Sequence, residues 1–500
     1  MSHALRLLSL TCALSLSACI GSTRPGASSG QPNILFIMID DLGWKDIRAQ
    51  GNEKFVTPNL DAFAKQSTRF TNFYAAAPVC SPTRAACITG LAPARLRVTN
   101  HIPDRWNFYN QRRPAGAGKD SEPRGRKWGP GKSVHVLDKK HRTIAQRLKA
   151  AGYNTGFIGK WHLAGPDWGT KDTSLFPESY GFDTNVAGNA MGGPGTFHGP
   201  IKMPNYTKGK KGDYLPNLLA EEAVDYIKAN TGGDKPFFLC LWTYTVHYPI
   251  QATPELYSHY TKERNPDGSV KEPNMALRYR AMVEGMDIAI GRVLRSLDEM
   301  NLASNTLVVF TSDNGQMPGS SSADPLRAAK GYLYEGGIRV PLMIRWPGHI
   351  RSGAVETTPA ISMDFAPTFM DVAGIDYAPE EFDGESLLAV AAGHESLERD
   401  AIYIHFPHYS YHGKNNMGSV IRCGDYKYIH HFDNDRHELF NLRQDIGEKV
   451  NLYRTEPAKA VELRAKLMAW LKSTDAQLPR LYKDIPAGEL PGKKRLRSGQ

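Results

Sequence analysis

Cys80, Pro82 and Arg84 stand close together in Cys80-Ser81-Pro82-Thr83-Arg84-Ala85-Ala86-Cys87-Ile88-Thr89-Gly90. Ser81 is a favoured helix N-cap residue, and Pro82 at the first helical position gives up only an N–H that would be unpaired there. Gly90 supplies the stop. The pattern predicts a short helix with Cys80 just before its N-terminus, where exposed N–H groups and the helix dipole favour negative charge. Arg84, one turn on, can fold its guanidinium back towards Cys80. A thiol so placed is either a buried structural cysteine or a reactive centre.

Other polar residues follow apolar runs. Asn33 to Ile39 (NILFIMI) ends in Asp40-Asp41. Its unbroken apolar character predicts a central strand covered on both faces. Two adjacent carboxylates past such a strand are costly if buried unpaired, and a hard divalent cation with oxygen ligands would relieve them; a helix cap or solvated turn is the alternative. Asn154 to Ile158 delivers Gly159-Lys160-Trp161-His162, Pro236 to Tyr244 delivers His247, and Thr306 to Phe310 delivers Thr311-Ser312-Asp313-Asn314-Gly315. In open α/β sheets the ligand site lies outside the carboxyl ends of the strands. Convergence of polar residues at those ends predicts an active site before any family is considered.

The Cys80 stretch resembles the signature of the formylglycine-dependent sulfatases, Cys-x-Pro-x-Arg followed by Thr-Gly, with Cys87-Ile88 where that family more often has two leucines. The resemblance extends from about Pro32 to about Leu471 and takes in Lys330-Gly331 and Glu438-Leu439-Phe440-Asn441-Leu442. It implies an alkaline-phosphatase-like α/β fold, a central mixed sheet flanked by helices with a small C-terminal α+β subdomain. It implies that Cys80 is oxidised to formylglycine by a formylglycine-generating enzyme. Asp40, Asp41, Asp313 and Asn314, with residue 80, match the family's metal ligands, usually for Ca2+. Lys160 and Lys330 would neutralise sulfate oxygens, His247 would protonate the leaving oxygen, His162 would deprotonate the hydrate, and Arg84 would orient residue 80. The expected substrate is a sulfated carbohydrate. The alternatives are a phosphodiesterase or phosphonate hydrolase on the same fold, and a non-catalytic sulfated-glycan binder.

The 500 residues carry a net charge of +10, which suits a polyanionic partner; the resemblance points to sulfated polysaccharide and not nucleic acid. Arg6, the apolar run Leu7 to Leu16 and the small residues before Cys19 predict a signal peptide (1–19) with a bacterial lipobox, hence export to the cell envelope on a lipid anchor. A flexible tether (20–31) precedes a catalytic region (32–384), a C-terminal subdomain (385–480) and a basic tail (481–500). Leu342 to Trp346 is expected to close the main sheet. Trp106 to Arg142 reads as a basic loop, Met275 to Met300 as a helix whose Met stripe is core. Asn185 to His198 and His405 to His412 are candidate pocket walls. Cys87, Cys240 and Cys423 are expected to be free thiols.

Overall fold

The computed structural model describes residues 30–103, 127–165, 168–268, 271, 273–394, 397–410, 412 and 414–485. The expected signal peptide and lipobox lie outside these residues, as do positions 104–126 of the basic loop and 486–500 of the tail.

The first strand, β1 (Asn33–Ile39), is buried along its whole length. It takes the centre of an eight-stranded sheet whose other members are β2 (Thr68–Phe70), β3 (Asn154–Gly159), β4 (Thr184–Val186), β5 (Phe237–Trp242), β6 (Thr306–Ser312), β7 (Leu342–Arg345) and β8 (Val355–Glu356), in the spatial order β8-β2-β7-β6-β1-β5-β3-β4. The strands from β6 to β4 are parallel, and β7 runs antiparallel to both β6 and β2, so the sheet is mixed. β7 does not close the sheet as expected: the short strands β2 and β8 lie beyond it.

Alternation along β1 divides the core. Ile34, Phe36 and Met38 pack with α2 (Cys80–Thr89), α3 (Ile144–Ala150) and α6 (Phe365–Ala373). Leu35, Ile37 and Ile39 face α1 (Pro58–Lys65), α4 (Leu215–Ala229) and α5 (Met275–Glu299). With period-two side chains, each face of the sheet needs its own helical cover. The stripe Met282, Met286, Ile290, Val293 and Leu297 is core, as its spacing predicted.

A second, antiparallel sheet of β9 (Ala401–Phe406), β10 (Gly418–Cys423), β11 (Tyr426–His431) and β12 (Arg436–Asn441) follows. One face, with Ile421, Tyr428 and Leu439, is covered by Leu463, Leu467 and Leu471 of α7 (Pro457–Ser473). The other, with Val420, Ile429 and Phe440, packs on Leu333, Tyr334 and Ile338 and on Val79 and Ala86 around α2. This junction holds a buried charge cluster. Lys427 Nζ lies 2.9 Å from Glu335 and 2.8 Å from Glu448, while Arg339 is 3.3 Å from Glu335. Tyr74 donates to Glu335 at 2.7 Å and accepts from Arg422. Cys80, Cys87, Cys240 and Cys423 are free thiols.

Candidate active site

Strand register assembles the site. Ile39 stands opposite Ser312 in the parallel β1–β6 pair, so Asp40 and Asp313 leave the sheet side by side. Asp313 N–H donates to the Ile39 carbonyl, and Asp41 N–H to Asp313 Oδ1 at 3.1 Å. Gly159 stands opposite Trp242, and Lys160 N–H continues the ladder to the Trp242 carbonyl. Asp41 turns at φ 62°, a left-handed conformation that Asp tolerates better than most side chains.

The helix carrying residue 80 begins two residues earlier than the sequence expectation. Cys80 lies inside its first turn, the N-cap position is Val79, and no side chain caps it. Ser81 is therefore not the cap. Its hydroxyl donates to the His162 carbonyl at 2.9 Å and accepts from Ile102 N–H at 2.9 Å, tertiary partners that a local capping rule does not foresee. Arg84 is fully buried, and its hydrogen bonds go to Asp313 and to the Lys160 carbonyl. Nε and a terminal nitrogen clasp Asp313 Oδ2 at 2.9 and 2.7 Å, and the other terminal nitrogen donates to the Lys160 carbonyl at 2.7 Å.

The carboxylates, cations and thiol interlock. Lys160 Nζ lies 2.9 and 2.7 Å from the two oxygens of Asp40. Lys330 Nζ is 2.5 Å from Asp41 Oδ1 and 3.2 Å from Cys80 Sγ. Cys80 Sγ is 3.6 Å from Asp40 and 3.9 Å from Asp41. Asn314 Nδ2 donates to Asp41 Oδ1 at 2.7 Å. His247 Nδ1 donates to the Tyr248 carbonyl at 2.8 Å, which leaves Nε2 facing Asp41 Oδ2 at 3.7 Å.

Burial sets the electrostatics. It raises Asp40 to about 8 against the pull of Lys160. It pushes Asp41 and Asp313 upward too, but Lys330 and His247 more than reverse this for Asp41, as Arg84 does for Asp313, and both end below the ordinary carboxylate range. The Cys80 thiol is pushed up to about 12 by burial in spite of Lys160 and Lys330. At neutral pH it is a thiol and not a thiolate, so it is unsuited as it stands to be a nucleophile.

The donor set fits a hard cation. Ligand atoms of Asp40, Asp41, Cys80 and Asp313 lie within 4.8 Å of one another. Asp41 Oδ2 and Asn314 Oδ1 are buried oxygens without a hydrogen-bond partner among the described residues. Orphaned buried acceptors facing clustered carboxylates are what an oxygen-seeking ion would satisfy.

A cavity of about 400 Å³ opens over this cluster, walled by Cys80, His162, Trp168, Gly192, His247 and Lys330 among others. Arg84 and Lys160 lie behind it. His162, at φ 57°, has both ring nitrogens buried without a hydrogen-bond partner among the described residues. Of the expected walls, Asn185 to His198 contributes Gly192, Gly193 and Gly195. Among the described residues from His405 to His412 none lines this cavity; His412 lies 3.2 Å from the Lys330 carbonyl, and His405 and His408 bond Ser419 and Thr99. His101, Trp168, Tyr248 and Met317 also line the cavity and were not singled out by the sequence, since no residue pattern marks them.

The family model "Sulfatase" matches residues 32–375, and the model "N-sulphoglucosamine sulphohydrolase, C-terminal" matches residues 328–477. A sulfatase of Formosa agariphila is 29% identical, the match covering 93% of each chain. The N-acetylgalactosamine-6-sulfatase of Sus scrofa is 30% identical over 79% of this chain and 71% of its own. Among solved structures, Ps i-CgsB in complex with k-i-k-neocarrahexaose superposes with a TM-score of 0.72 at 26% identity, covering 88% of this chain and 92% of that one. The family match spans β1 to α6, and so every residue of the carboxylate–lysine–thiol cluster. The chain belongs to the sulfatase family, sulfuric ester hydrolases with the alkaline-phosphatase-like fold.

Proposed function

We propose that this protein hydrolyses the sulfate ester of a sulfated carbohydrate, with residue 80 acting as formylglycine and one Ca2+ held by Asp40, Asp41, Asp313, Asn314 and residue 80. The observation that carries this reading is the environment of Cys80. It stands at the wall of a cavity, 3.2 Å from a lysine and beside two buried carboxylates, yet burial keeps its own thiol protonated. Oxidation to formylglycine supplies a hydrated aldehyde, one hydroxyl to attack sulfur and a second whose deprotonation lets sulfate leave. The ion supplies positive charge for the sulfate oxygens and for an ionised hydroxyl.

Charge explains the remaining residues. Once they ligate a cation, which keeps even Asp40 ionised, Asp40, Asp41 and Asp313 would be balanced by Arg84, Lys160 and Lys330. A divalent ion then leaves the site with a surplus of positive charge, matched to an anionic ester and an anionic leaving oxygen. Lys330 keeps its ammonium beside the reacting atom. His247, its Nδ1–H fixed by the Tyr248 carbonyl, turns Nε2 towards Asp41. Burial lowers the ring to about 3 and Asp41 opposes that shift, so it is as the imidazolium, doubly protonated in the loaded site, that Nε2 would give the leaving oxygen its proton. His162 takes a proton from residue 80. Arg84 and Lys160 hold Asp313 and Asp40 in place.

A carbohydrate substrate is supported by a second cavity of about 540 Å³, lined by Arg327, Ala329, Tyr332, Tyr334, Lys414 and Arg436 among others, residues on either side of Lys330 in the chain included. Cationic and aromatic side chains suit an anionic sugar. Export by the N-terminal signal, a lipid anchor on Cys19 and maturation by a formylglycine-generating enzyme complete the proposal. No described helix is long and apolar enough to cross a membrane.

The test compares hydrolysis of an aryl sulfate with that of an aryl phosphodiester, in wild type and in Cys80→Ala, with mass analysis of the residue-80 peptide. Sulfate release by protein carrying the aldehyde, and none by Cys80→Ala, is expected. Equal release by Cys80→Ala would overturn the assignment of residue 80, and a preference for the phosphodiester would overturn the substrate class.

A further inference from the structure

Three side chains on the hairpin of β11 and β12 meet away from the catalytic centre. His430 and His437 are directly opposed across the ladder, and their ring centroids lie 4.6 Å apart. Asp435, in the turn between them, reaches back so that its Oδ1 lies 3.1 Å from His430 Nε2 and 3.3 Å from His437 Nε2. The potential ligand atoms of all three lie within 4.8 Å of one another. Among the described residues this is the one such His/Asp grouping that shares no member with the catalytic cluster.

We propose that His430, Asp435 and His437 form a binding site for a divalent transition-metal ion of the Zn2+ class. Ligand bonds of about 2.0–2.1 Å in tetrahedral geometry separate neighbouring donor atoms by about 3.3 Å. The two measured separations match that edge without rearrangement. Two imidazoles and one carboxylate select a borderline transition metal over the hard cation suited to the all-oxygen set of Asp40, Asp41, Asp313 and Asn314. With three protein donors and an exposed Asp435, the fourth position is left to water. A supporting contact is present at His437, while His430 Nδ1 has no hydrogen-bond partner among the described residues. His437 Nδ1 lies 2.8 Å from the Tyr428 hydroxyl, which can accept its proton and so keep Nε2 as the ligating nitrogen. Tyr453 stacks on the His437 ring at 5.0 Å and fixes its plane. Asp435 adopts φ 47°, the left-handed conformation that turns its carboxylate towards both rings.

The site also has a place in the molecule's economy of parts. Strand alternation puts His430 and His437 on the face covered by α7, while their neighbours His431 and Arg436 point into the second cavity. An ion here pins the hairpin end that presents those two residues.

The experiment is calorimetric titration of Zn2+ into the matured full-length enzyme kept in excess Ca2+, which occupies the catalytic donors, alongside Asp435→Asn and His437→Ala. Asp435→Asn preserves the turn, because Asn accepts the left-handed conformation, so its folding does not depend on the ring packing that His437→Ala removes. One equivalent of Zn2+ is expected in wild type, bound at least about tenfold more weakly in both variants, with aryl-sulfate turnover of Asp435→Asn unchanged. Co2+ should give the visible absorption of a tetrahedral ion in wild type and lose it in Asp435→Asn. Absence of stoichiometric Zn2+ binding would overturn the proposal. So would binding of equal strength in wild type and Asp435→Asn, which would assign the ion to the catalytic cluster.

Discussion

At the scale of single residues, Asp40, Asp41, Lys160 and Asp313 were readable because each follows an apolar run, while Lys330, which follows none, came only through the family resemblance that the spacing around Cys80 carried. What could not be read was which neighbour each charge would take. Arg84 was expected to turn towards residue 80, and the clasp it makes on Asp313 was not foreseen, because only the register of β1 with β6 brings that carboxylate to it. Glycine at 192 was equally silent, yet a Cβ there would lie 2.7 Å from His162 Nε2 and 3.0 Å from the Trp168 ring. Gly192→Ala is therefore expected to displace the His162 imidazole and lower kcat/KM about tenfold or more at unchanged fold. Steady-state kinetics on an aryl sulfate with a circular-dichroism control check this, and wild-type kinetics would remove His162 from the mechanism.

At the scale of elements, β1, β5 and β6 are legible because long apolar runs leave no other reading, and α5 because its apolar residues recur at helical spacing. The strands β2, β4 and β8 are only two or three residues long and have no periodicity to detect. β12 escaped for a different reason: Arg436, His437 and Glu438 look like surface, but they serve two cavity and hairpin faces. The helix α2 is held by its place in the sheet's mouth more than by its own caps. Arg84 in its middle is bonded to Asp313 and to the Lys160 carbonyl, so it ties α2 to the ends of β3 and β6. Arg84→Met leaves Asp313 buried and short of its partner, at a cost of about 3–5 kcal/mol. Chemical denaturation measures it; a loss under about 1 kcal/mol would show that α2 is anchored chiefly by apolar packing.

At the scale of the whole molecule, the junction between the two sheets was not legible, because its charges are scattered from Tyr74 to Glu448. Burial pushes Glu448 up to about 7, Lys427 opposing and Glu335 reinforcing the shift. Glu335 itself is held low by Lys427 and Arg339, with Arg422 also facing it, against burial. A raised carboxyl keeps its proton in the folded form while the unfolded chain has lost it, so stability falls as pH rises from about 4.5 to about 7. Glu448→Gln should flatten that decline in urea midpoints measured between pH 5 and 7.5; an unchanged slope would place its cause elsewhere. The second cavity spans the same junction. Arg436→Ala is expected to raise KM for a sulfated oligosaccharide several-fold while sparing a small aryl sulfate, and equal effects on both would sink its role in holding sugar.

The stretch from Ala328 to Ile338 belongs to both halves at once. It sends Lys330 to residue 80, Tyr332 and Tyr334 to the second cavity, and Glu335 to Lys427. The two family models overlap over residues 328–375, which begin with this stretch. For recombination between homologues, the second sheet is therefore not an exchangeable cassette. A crossover after residue 338 parts Glu335 from Lys427 and Glu448, whereas one placed before residue 328 keeps that cluster together but parts Lys330 from Asp41 and residue 80, and Glu335 from Tyr74.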